Sequence, residues 1–158
     1  MQREALTRDL PTASSLPRLR DFVAAVAAGH DASMRVAGLA AGLSERHAAY
    51  YGLAASDTLR LVVRAGDGRL ALTPLARELL ATPRESHAER AVFRRAIADS
   101  PSITSIAPDL LDAEGPTAEA LTHRLVHASL AANTAKRRAS ALLSWRRYAL
   151  EPQGALPL

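Results

Sequence analysis

The chain contains no cysteine, which excludes disulfides and thiolate metal sites. It has one lysine, Lys136, and one tryptophan, Trp145; with aromatics at 4%, any core must be built mainly from leucine, alanine and valine. No apolar run approaches the roughly 18 residues that a membrane-spanning helix requires. The first fifteen residues lack an apolar signal-peptide core, so a cytoplasmic location and no membrane partner are the expectation. Neither a P-loop nor a nucleophile elbow is present. Asp109, Asp112 and Glu114 form an acidic group with no lysine nearby, and helix capping is their expected role rather than catalysis. The expectation is a non-enzymatic protein without cofactors. One absence is more pointed: the 31 residues between Glu119 and Glu151 contain no acid.

What is present suits one ordinary domain or two very small ones: 158 residues, 48% of them hydrophobic, with a net charge of +4 that mildly favours a polyanionic partner. Residues 1–15 are polar and end in "PTASS", a flexible lead. "EPQGALPL" from Glu151 cannot continue a helix, which makes 151–158 a flexible tail. Between them the apolar spacing is mostly helical. A first helix is expected from Pro17 to Ala28, then a short one ending at Gly42, then one capped by Ser44 and running to about Leu59 or Arg60. Leu61–Val63 and Leu70–Leu72 flank "AGDG", a hairpin signal, and Thr73 with Pro74 opens a fourth helix.

This order describes a winged-helix unit over 16–83. Residues 84–150 repeat the plan loosely: a helix in "RESHAERAVFRRAIADS", a linker or short turn in "SITSIAPDLLDAEGP", a short helix from Thr117, and a long one to about Leu150. Placing Leu43 over Leu130 also places Tyr50-Tyr51 over Arg137-Arg138. The expected fold class is mainly α, a tandem helix-turn-helix or winged helix with a short β-hairpin wing.

"LSERHAAYYGLAASDTLRLV" with "GRLALTPLARELL" is similar to winged-helix modules that carry an Arg-x-x-x-Tyr-Tyr helix and a Leu-Thr-x-x-Gly-like segment, with Ala76 where Gly is frequent. "NTAKRRASALLSWRRYAL" resembles the Thr-Ala-x-Arg-Arg…Ser-Trp helix that follows it. Such modules accompany restriction endonucleases, methyltransferases and related ATPases. The resemblance implies a double-stranded DNA-binding accessory protein of a restriction or defence system, with a nuclease, methyltransferase or ATPase as effector. By analogy alone, it extends to reading of N6-methyladenine.

The residues give their own reasons for a DNA partner. On a helical wheel, Ala139, Leu142, Leu143, Arg146 and Ala149 fall within about 80° of Ala135. Opposite lie Asn133, Arg137, Ser140 and Ser144, flanked by Lys136 and Arg147, with Arg138 and Trp145 at the stripe's margin. Lys136, Arg137, Arg138 and Arg147 are the expected phosphate anchors, and Asn133, Arg137 and Ser140 the candidates for base contact. Trp145 is expected in the core. The first unit offers less: Arg46 and His47 near the start of its third helix, an outward face of Glu45, Ala48, Gly52 and Ser56, and the hairpin arginines Arg64 and Arg69. Tyr50 is expected in the core and Tyr51 at its boundary. His123 and His127 stand at metal-ligand spacing, but Arg124 replaces the usual glutamate and no third ligand is evident, so no metal is expected. "ERAVFRR" reads as a solvated charge run. The alternatives to an accessory DNA-recognition protein are a protein-interaction or assembly module and a dimeric transcriptional regulator.

Overall fold

The computed structural model describes residues 10–128 and 130–152. Among the described residues there are eight α-helices and one two-stranded antiparallel sheet. Local capping sets the first starts. α1 (Leu16–Ala27), α2 (Met34–Ala40) and α3 (Glu45–Leu53) follow Ser15, Ser33 and Ser44, and each serine accepts from the backbone N–H three residues on. Gly42, at φ +83°, turns the chain from α2 into α3. The helical path of α3 continues as a π-turn over Ala54–Thr58 and stops at Arg60, whose φ is +55°.

β1 (Val62–Arg64) pairs with β2 (Leu70–Leu72), Val62 opposite Leu72 and Arg64 opposite Leu70, so the first strand starts one residue later than expected. The N–H of Gly68, at φ +85°, donates to the Ala65 carbonyl, and the Asp67 carboxylate accepts from the Arg69 N–H; glycine is needed where the loop turns left-handed. Thr73 and Pro74 open α4 (Pro74–Leu80) as expected. α5 (His87–Ala98) follows, capped by Ser86. The expected linker then departs from the sequence reading, because it begins with a further helix, α6 (Pro101–Ile106). Ser100 caps it, Pro101 takes its first turn, and Ile103 and Ile106 are buried. α7 (Ala118–His127), capped by Thr117, and α8 (Ala132–Leu150) complete the order.

One apolar cluster runs from Leu10 to Ala149 and draws on both halves. Part of the lead belongs to it, which corrects the expectation for residues 10–15. Leu10 and Ala13 are buried, the Trp145 indole N–H donates to the Ala13 carbonyl at 2.8 Å, and the Ser15 N–H donates to the Tyr51 hydroxyl at 3.1 Å. Residues 1–9 and 153–158, the rest of the expected lead and most of the tail, lie outside the described residues.

A buried polar seam also joins the halves. Glu89 is 1% exposed; it accepts from the Arg20 guanidinium at 2.6 Å, from the Glu85 N–H at 3.2 Å and from the Tyr148 hydroxyl. Arg20 also donates to the Thr82 carbonyl at 2.8 Å. Arg90, likewise buried, lies over the Tyr148 ring at 4.9 Å and donates to the Glu85 carbonyl. "ERAVFRR" is therefore no solvated run: its first two charges are interior, where Arg20 of α1 pairs with Glu89 and Tyr148 of α8 meets both Glu89 and Arg90.

Burial, then the hydrogen bond to Glu89, pushes the Tyr148 phenol well above its ordinary 10.0. The folded state keeps a proton that the unfolded chain releases near pH 10. This contribution is complete below that pH and is lost as the pH rises toward the folded value. Melting temperature is expected to fall more steeply between about pH 9 and pH 11 in the parent than in Tyr148→Phe. Parallel profiles would contradict the assignment.

Candidate nucleic-acid interface

α8 presents the candidate residues in an order set by its packing. Ala135, Ala139, Leu142 and Ala149 are buried, as the wheel requires, and so are Ala141 and the marginal Trp145, whereas Leu143 is only half-buried. The buried stripe is wider than expected on the Ala141–Trp145 side because residues 10–15 lie against it. Arg146, inside the expected stripe, is half-buried and reaches the carbonyls of Leu110 and Asp112 at 2.8 and 2.9 Å. Asn133, Lys136, Arg137, Ser140 and Arg147 are exposed and Arg138 is half-buried. Lys136, Arg137 and Arg147 make no ion pair among the described residues.

α3 is rotated relative to the expectation. Ala48 and Gly52 face inward, not outward, because α2 packs directly on them. A Cβ added to Gly38 would lie 2.1 Å from the Ala48 Cβ, and one added to Gly52 would lie 2.7 Å from the Met34 sulfur. The outward residues are Glu45, Arg46, His47, Ala49 and Leu53, with Ser56 half-buried. The same rotation exchanges the tyrosines: Tyr51 is core, at 4% exposure, and Tyr50 is half-exposed. Glu45 is paired with Arg35 at 2.6 Å, so this acid does not stand uncompensated.

The rotation has a consequence that the sequence did not reveal. Arg46, His47 and Tyr50 of α3 and Arg137 and Ser140 of α8 line one open groove of about 410 Å³, with Thr12–Ser14 between them. A smaller neighbouring cavity adds Arg138 to Tyr50 and Arg137. Arg46 donates to the Tyr50 hydroxyl at 2.9 Å and its guanidinium lies 5.5 Å from the ring centroid. That hydrogen bond, followed by the charges of Arg46 and Arg137, holds the Tyr50 phenol below its ordinary 10.0. The residues expected in two separate units thus form one surface, with an aromatic ring among its cations. Arg46 and Tyr50 stand four apart, a spacing that pairs side chains along a helix, and this was the one sequence signal for Tyr50's position.

The hairpin arginines differ from each other. Arg69 donates to the Asp31 carboxylate at 2.9 Å, and the Leu70 N–H donates to the Asp31 carbonyl at 2.7 Å, which ties the hairpin to the α1–α2 connection. The Arg69 hydrogen bond holds Asp31 below its ordinary 3.8. Arg64 is exposed on β1.

His123 and His127 line a small cavity with Ile106 and Arg124. Arg124 grips Asp109 through two hydrogen bonds, 2.7 and 3.0 Å, so Asp109 serves as an ion-pair partner rather than a helix cap. Among the described residues no group of three or more His, Cys, Asp or Glu is placed to hold a metal ion. No described helix is long and apolar enough to cross a membrane. In comparisons with known proteins, the chain matches no family model, no curated protein and no solved structure.

Proposed function

We propose that this chain is a tandem helix-turn-helix protein, its β1–β2 hairpin acting as a wing, that binds double-stranded DNA without catalysing a reaction of its own. It would supply recognition to a restriction-type nuclease, methyltransferase or ATPase. The observation that carries this reading is the shared groove. Arg137 of α8, which makes no ion pair among the described residues, and the basic start of α3 line one exposed groove, and α8 itself has no acid before Glu151. Lys136, Arg137 and Arg147 would anchor phosphates, with Arg138 at the groove's edge. Asn133 and Ser140 have the donors and acceptors that base edges require. Arg46, His47 and Arg64 would add contacts from the first unit, while Arg69 would position the wing through Asp31.

Duplex binding is expected to weaken with salt at a log–log slope of about −3 to −5, for four or five phosphates neutralised at roughly 0.9 each. Arg137→Ala should weaken binding more than Arg46→Ala, since Arg137 makes no ion pair among the described residues whereas Arg46 is already engaged by Tyr50. If Arg137 only anchors phosphate, its loss lowers the slope by about 1 for every sequence alike. Fluorescence anisotropy at several salt concentrations measures both. Affinity insensitive to salt, or a silent Arg137→Ala in a folded protein, would remove the reading.

A second reading, a protein-interaction module, is favoured by the outer surface of the first unit. Val36, Leu39 and Leu53 there are 36%, 43% and 48% exposed. Salt-insensitive association with a partner protein, lost in Leu53→Asp, would support it.

A further inference from the structure

A second and larger groove, of about 840 Å³, lies between α7 and α8 and shares Ser14 and Ser140 with the first. Its apolar lining includes Val126, which is 43% exposed, together with Leu143 and Ala118. Lys136 and Arg147 stand on the α8 wall eleven positions apart, a span of about 16 Å on a helix, with Ser140 and Ser144 between them. His123 and Thr122 face them from α7, and Glu119 is the one acid in the lining. The volume is that of an ordinary small-molecule site, and an elongated apolar floor with a cation at each end suits a particular chemistry.

We propose that this groove binds an amphipathic organic anion: an apolar body with a carboxylate at one end. The body lies along Val126 and Leu143, and the head is held by Lys136. The polarity follows from the chain path. α7 and α8 are joined by the short connection at 128–131, so Lys136 lies toward the Val126 end and Glu119, in the first turn of α7, toward the other. Glu119 repels an anionic head placed there. Lys136, Ser140 and Arg147 also belong to the proposed duplex face, so the bound anion competes with DNA; the competition rests on the proposed function, and the site does not.

Dodecanoate below its micelle concentration is the probe, titrated by calorimetry, with dodecyltrimethylammonium as the cation of equal chain length. One saturable site for dodecanoate and none for the cation is expected. Lys136→Glu should weaken the anion by about tenfold, the size expected when an exposed attraction becomes a repulsion. Arg147→Glu should weaken it less, Val126→Asp should abolish saturation, and Arg77→Ala, at an exposed position of α4, should leave dodecanoate binding unchanged. No saturable binding, equal binding of the cation, or indifference to Lys136→Glu overturns the proposal. So does association with anionic vesicles in place of free dodecanoate. Saturating dodecanoate should also raise the duplex Kd. Dodecanoate binding without duplex binding removes the DNA reading alone, and duplex binding without dodecanoate binding removes this one alone.

Discussion

Glu89→Ala should destabilise the protein by about 3–5 kcal/mol, because it leaves the Arg20 guanidinium buried without its carboxylate. At roughly 2–4 °C per kcal/mol for a chain of this size, the melting temperature falls by about 6–20 °C. Tyr148 and the Glu85 N–H lose their acceptor in the same step, so the loss is concentrated where α1, α5 and α8 meet. The double change Arg20→Met, Glu89→Leu should recover most of it, since an apolar pair of similar volume avoids the desolvation of two charges. Thermal or urea unfolding checks both. A loss within about 1 kcal/mol would mean that the seam is wetter and less coupled than its burial indicates.

Gly38→Ala is the second change with a large expected effect. In most helix interiors this substitution stabilises, by roughly 1 kcal/mol. Here the added Cβ would meet the Ala48 Cβ at 2.1 Å and the Ala48 Cα at 2.7 Å. The second of these is backbone, so α2 and α3 must move apart. The expected outcome is a loss of about 1–3 kcal/mol, with a displaced α3. Gly66→Ala provides the contrast, because nothing lies within 4 Å of its added Cβ. That change should be close to neutral, and denaturant midpoints of the two variants separate the cases. A neutral Gly38→Ala would show that the α2–α3 contact is looser than described.

Where a signal was local, the sequence revealed it. Ser44, Thr73 and Thr117 cap their helices through side chains that reach only three residues, and the Asp67-Gly68 turn carries its own backbone preference. α8 was legible because its apolar spacing persists over many turns. The misses share a different cause. The rotation of α3 is decided by how closely Gly38 and Gly52 let α2 approach, which periodicity in α3 does not contain. Tyr50 and Tyr51 exchanged places for that reason. Glu89 read as surface because its partner, Arg20, is 69 residues away. α6 was missed because six residues give too little periodicity, although Ser100-Pro101 was a usable start signal. The candidate residues of α8 were legible one by one; their meeting with Arg46 and Tyr50 was not.

The bond from Trp145 to the Ala13 carbonyl closes 132 residues of chain. Loop-closure entropy makes contacts of such separation slow to form, so they belong to the late stages of folding. The groove holding Tyr50 and Arg137 has residues 12–14 as part of its lining, and those residues are held by this closure. α7 and α8 adjoin in sequence and can form early, whereas the shared groove has to wait for the ring to close. An intermediate with helices complete but this contact open would therefore carry the charges of the interface without its shape.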